Sequence, residues 1–226
     1  MATHLRSNAN IHLVSDICAS IAVALDSDPQ SKQLAPSWDA LTTKADSLVT
    51  DRRTVDRALG RARAKLSVFD AHWDPEIAAF GRDVLDQSGG KRDQAPYTRF
   101  FKNVSASTAQ SFGIDREVQQ GQEWIAELHR NAAEPLATKW IPRLELVTNA
   151  LAGGSAARRN ALQAAALQDT AEELFIADVN RELDILEGEL LKLFPGQPKR
   201  VAAFLEATRP ATRRSSRETE TPTESG

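Results

Sequence analysis

One cysteine, one methionine and one tyrosine occur in 226 residues, and aromatic side chains make up only 6% of the chain. A lone thiol, Cys18, excludes an internal disulfide framework and a multi-thiolate metal site, and it suits a reducing compartment. Cys18 also falls in the apolar register of its segment, which predicts a buried, inert side chain. Nowhere do some twenty apolar residues follow one another, so no membrane span is expected. The polar start, MATHLRSNAN, and the interruption of the next apolar stretch by His12, Ser15, Asp16 and Ser20 make a poor signal peptide. Together these features predict a cytoplasmic protein.

Neither sign of charge is in excess: 28 Lys and Arg stand against 31 Asp and Glu, a formal charge of -3. That excludes the global basicity of a protein that coats nucleic acid, though not a local patch. The four histidines, His4, His12, His72 and His129, are scattered, and none follows a glutamate by three residues as in helical di-metal sites. The glycine-containing stretches at 88–90 and 152–155 lack the Lys and Ser/Thr of a phosphate loop and read as helix ends. Serine and histidine form no nucleophilic motif. No catalytic residue, cofactor or metal is therefore assigned, and the sequence identifies no activity.

What the chain does carry is helical periodicity. Trp38, Leu41, Ala45, Leu48, Arg52, Val55, Leu59, Ala62, Leu66, Phe69 and Trp73 follow at alternating steps of three and four, all apolar except Arg52. This spacing marks one long amphipathic helix with a narrow seam. Arg52, in the seam, is expected to snorkel its head into water. An earlier stripe, Ile11, Val14, Cys18, Ile21 and Leu25, predicts a helix over 9–26, with Ser7 or Asn8 as cap and Asp28-Pro29 as stop. The long helix starts near Pro36, and Asp74-Pro75 is either a fresh helix start or a kink. Gly89-Gly90 ends this segment, and Pro96 to Lys102 reads as a short helix.

The second half repeats the plan. Ile114, Val118, Gly121, Ile125, Leu128 and Ala132 form a stripe, followed by a start at Pro135 and a run through Trp140, Leu144 and Leu151. Gly153-Gly154-Ser155 reads as a break, a long helix follows over 156–193, and a short element carries Val201, Phe204 and Leu205. Sliding the halves by 102 to 104 residues aligns Trp38 with Trp140, Trp73 with Phe175 and Phe100 with Phe204. The fold predicted is all-α, an elongated antiparallel bundle over 1–207 built from pseudo-repeats 8–104 and 111–207. The tail, 208–226, has no apolar residue larger than Ala or Pro and reads as disordered. Its Arg213-Arg214-Ser215-Ser216 could serve modification or docking, but solubilising disorder is the plainer reading.

Two charge features stand out. Arg53, Arg57, Arg61 and Lys65 step by four up one side of the long helix, a ridge that could track phosphates or an acidic partner. It lacks interleaved aromatics for stacking bases, and its plainest reading is a solvated face. The stretch 169–189 is acidic, with Glu172, Glu173, Glu182, Glu187 and Glu189 the candidate face; cation binding by it is the lesser reading against simple solvation. Opposite charge on two helices suggests complementary pairing, within the chain or between subunits. The function expected is a non-catalytic structural or adaptor protein acting through protein–protein contacts, with self-association. The alternatives are a polyanion binder using the ridge, and an enzyme whose pocket between helices is not readable from sequence.

Overall fold

The computed structural model describes residues 3–101 and 104–208. Among them the fold is all-α, without strands, and no helix is long and apolar enough to cross a membrane. The helices are α1 (Ile11–Asp26), α2 (Ala35–Gln87), α3 (Tyr97–Phe101), α4 (Ala106–Ala109), α5 (Ile114–Arg130), α6 (Pro135–Leu193) and α7 (Pro198–Phe204). Contacts divide the chain into two compact units, Met1–Thr50 with Thr170–Gly226, and Asp51–Asp169. The division falls inside α2 and α6, so each unit takes segments from both halves of the sequence.

In the first unit α1 begins one turn later than Ser7 or Asn8 would place it. The side chain of Asn10 accepts the His12 amide at 2.9 Å, and this satisfies one of the donors that a helix start leaves free. The predicted stripe is buried, Cys18 included, against Trp38, Phe175, Ile176, Val179, Leu183 and Leu190. Burial pushes the Cys18 thiol up to about 12, so it is held as the neutral thiol. Asn180 of α6 pins the N-terminal segment: it accepts the Leu5 amide at 2.8 Å and donates to the Leu5 carbonyl at 2.9 Å. Arg200 of α7 donates to Asp28 at 2.5 Å and holds that carboxyl below the usual carboxylate range. Thr208, assigned to the tail by composition, is buried and takes the Thr3 amide at 3.3 Å through its hydroxyl. The remaining tail, with Arg213 to Ser216, lies outside the described residues.

In the second unit the two long helices run antiparallel, as four contacts at falling α2 and rising α6 positions show. Trp140 donates its indole N–H to Asp83 at 2.8 Å, and Arg143 makes two 2.9 Å bonds to Glu76. Gly154 lies against Leu66 and Phe69, and Arg52 bonds Asp169 at 2.5 Å. The core is aromatic: Phe80 packs within 5.3 to 5.7 Å of Phe100, Phe101, Trp124 and Trp140, and Trp73 stacks on Trp124.

Several sequence expectations are corrected here. The helix does not break at Gly153-Gly154; α6 runs through, because a missing side chain at Gly154 is what lets α2 approach. A Cβ there would stand 2.8 Å from Phe69 and 3.1 Å from Leu66. Asp74-Pro75 starts no new helix either, and Pro75 lies within α2. Where α2 does end, Gly89 and Gly90 adopt φ of 63° and 76°, the left-handed conformation that glycine enters without strain. The α5 stripe is also rotated: the buried residues are Glu117, Gly121, Trp124 and Leu128, while Ile114, Val118 and Ile125 are half-buried and Ala132 is exposed beyond the helix. The large indole of Trp124 takes the core position, and this turns Glu117 inward.

Candidate interaction surface

The basic ridge lies in the second unit, on α2. At ~1.5 Å rise per residue its four members are spaced by ~6 Å over ~18 Å. All four are exposed, as are Arg63 on α2 and Arg158 on α6. The buried residues of this stretch, Ala62 and Leu66, lie about 100° round the helix from Arg61 and Lys65. None of these six cations has an ion-pair partner among the described residues. Arg52 and Arg159 differ. Arg52 pairs with Asp169 and, at 3.9 Å, with Asp56, so it is ion-paired rather than free in water; Arg159 is held by Asp115 at 2.9 Å.

The antiparallel register explains why the ridge is left unpaired. Pairing of Arg52 with Asp169 and of Leu66 with Gly154 sets residues 53–65 of α2 level with 155–168 of α6, a stretch that carries no acid and whose charged residues are the cations Arg158 and Arg159. On α6, Leu162 is 40% exposed and lines a surface groove with Asp115, Arg116, Arg158 and Arg159, and Leu167 is 66% exposed.

The acidic face belongs to the first unit and is more engaged. Asp178 meets Lys44 at 3.6 Å and Arg181 at 3.0 Å, Asp184 meets His4 at 2.7 Å, and Glu189 meets Lys192 at 2.6 Å. Glu172, Glu182, Glu187 and Glu189 are half-buried, and Glu173 is exposed. His129 meets Glu145 at 3.1 Å. Among the described residues no three metal-ligating side chains converge. No protein-family model matches the chain, and neither a curated protein nor a solved structure matches it.

A groove of about 460 Å³, lined by Arg99, Phe100, Glu123, Trp124, Glu127 and Arg130, has its charges committed to neighbours. Arg99 forks onto Glu134 at 2.9 and 2.7 Å, and Arg130 meets Glu127 at 2.5 Å.

A second feature, invisible to periodicity, is the buried carboxyl of Glu117. It is 2% exposed, and its Oε2 has no hydrogen-bond partner among the described residues. Burial, then the charges of Asp70 and Asp74 on α2, push it up to about 7. Beside it, the Trp73 indole N–H and the Thr148 hydroxyl are also buried without partners. The signal in the sequence is an acid three residues after Ile114 and four before Gly121, at a position the stripe assigned to Val118 passes over.

Proposed function

We propose that this chain is a non-catalytic helical-bundle adaptor that binds an acidic, amphipathic helical protein along the α2 ridge. The observation that carries this reading is that Arg53, Arg57, Arg61 and Lys65 have no ion-pair partner among the described residues and stand level with a stretch of α6 that holds no acid. Charges left without internal partners select an external one and speed its arrival. Exposed apolar residues on α6 of the same unit, Leu162 and Leu167, favour a protein over a phosphate backbone, which has no apolar side chains to bury there. The chain's own stretch 169–189 has the required acidic and apolar character, so self-association is one form of this binding. The single buried thiol supports action in a reducing compartment such as the cytoplasm.

A duplication fits the same reading. Each unit draws a helix pair from one half of the sequence (α1 with the start of α2, or α5 with the start of α6). It draws a long-helix end and a short helix from the other half.

The test is fluorescence anisotropy of a labelled synthetic peptide, residues 169–189, titrated with the full chain. Wild type is compared with a variant carrying Arg53→Glu, Arg57→Glu, Arg61→Glu and Lys65→Glu. Binding that weakens at least tenfold between about 20 mM and about 300 mM salt, and is lost in the variant, supports the proposal. No binding, or equal binding by the variant, overturns it, as does tighter ridge-dependent binding of a DNA duplex than of the peptide. Light scattering at both salt concentrations tests self-association, which a monomer in each removes.

A further inference from the structure

The buried end of α5 goes beyond the binding surface. We infer that a proton on the Glu117 carboxyl holds α5 against α2, making the second unit a pH-sensitive clamp. The Glu117 carboxyl is 2% exposed with its Oε2 unpartnered among the described residues, α5 is pressed on α2 at Gly121 and Trp73, and Asp70 and Asp74, one turn apart on α2, are the charges that act on it. With its proton on, Glu117 can donate to Asp70; with it off, a buried negative charge stands beside the half-exposed carboxylates of Asp70 and Asp74.

No cation offsets the charge at Glu117. From α6, Arg159 is held by Asp115, and Arg158 of α6 and Arg63 of α2 lie in the surface groove beside Asp70 rather than at Glu117. The other group from α6 is the neutral Thr148. On α5 itself, Asp115 is engaged by Ser155 and Arg159, and Arg116 lies over the Phe112 ring at 3.7 Å. The preceding segment supplies only Gln110, which donates to the Asp74 carbonyl. One turn along α5, Gly121 packs so closely on Trp73 that a Cβ would stand 2.4 Å from its ring. The two helices therefore have no room to separate the charges without parting.

The direction follows from linkage. The carboxyl lies at about 7 in the folded chain against an ordinary 4.5, so its stabilising contribution is complete below 4.5 and is lost as pH rises through 7. The Asp74 carboxyl is also raised, by burial and then by Asp70, and adds in the same sense.

The experiment compares urea unfolding of the wild type and Glu117→Gln from about pH 5 to about pH 8, followed by tryptophan fluorescence. Relative to the variant, the folded-to-unfolded ratio of the wild type is expected to fall roughly 70-fold across this range. Parallel pH curves for the two proteins overturn the inference. Carboxyl-carbon NMR of the wild type reads the same group without relying on the variant's folding. One glutamate titrating near 7 supports the clamp, and all glutamates titrating at or below their ordinary range refute it.

Discussion

Replacing Gly121 by alanine is the sharpest test of how tightly α5 and α2 pack. Away from any neighbour, Gly→Ala within a helix stabilises by about 1 kcal/mol, because glycine loses more backbone freedom on folding. At position 121 the added methyl would lie 2.4 Å from Trp73 Cη2, 2.6 Å from Thr148 Oγ1 and 2.9 Å from Trp73 Cζ3. Carbon atoms pack best at about 3.5 to 4.0 Å, so the indole would have to retreat by about 1 Å. It has nowhere to go, being fully buried and stacked on Trp124 with ring centroids 6.4 Å apart. Overpacking of this kind costs about 1 to 3 kcal/mol and, with contacts this short, the upper end applies. The net expectation is a loss of about 1 to 2 kcal/mol.

Gly60 and Gly153 are the internal standards: a Cβ at either meets nothing within 4 Å, so Gly60→Ala and Gly153→Ala should each stabilise by about 0.5 to 1 kcal/mol. Equilibrium urea unfolding followed by tryptophan fluorescence reads all three, since Trp73, Trp124 and Trp140 lie in the same unit. With a slope of about 1 to 3 kcal/mol per molar urea, the midpoints should separate in opposite directions by several tenths molar or more. If Gly121→Ala raises the midpoint as Gly60→Ala does, the close approach of α5 to Trp73 is wrong.

Two further expectations concern the first unit. Cys18, buried and with its thiol pushed up to about 12, should react with an aromatic disulfide reagent at pH 8 only after urea is added; prompt stoichiometric reaction of the native chain would contradict its burial. Asn180→Ala removes both bonds to the Leu5 backbone and should cost about 1 to 2 kcal/mol, with faster hydrogen exchange at the Leu5 amide. Unchanged exchange there would mean that the N-terminal segment is held by something else.

The helices themselves were legible because burial in them follows a three-and-four step, and Val14, Cys18, Ile21, Leu66, Trp73, Leu183 and Leu190 are all buried where that step places them. Periodicity does not weigh glycine correctly. Gly153-Gly154 has the composition of a stop, and only the partner helix reveals that Gly154 is a contact. Nor does it decide between two stripes one residue apart. On α5, Val118 and Ile125 compete with Glu117 and Trp124, and hydropathy favours the first pair. Burial of an indole outweighs that of two aliphatic side chains, and Glu117 is carried inward with it.

The ridge shows the same limit from the opposite direction. Its spacing was readable, and so was the acidic stretch of α6, but whether the two meet depends on register. The Arg52 to Asp169 bond sets that register, and each step up α2 from it is matched by a step down α6 through residues 155–168, which include no acid. Arg53, Arg57, Arg61 and Lys65 therefore continue along α2 with no acid of that stretch to neutralise them. Self-repulsion along such a row is tolerable in water, where each charge is solvated, yet it makes the face a better receiver of an acidic helix than a patch already paired. The same physics, placed inside the unit, gives the opposite result at Glu117. There the Glu117 carboxyl is cut off from solvent, and in the proposed clamp a proton, not hydration, removes the cost of its charge.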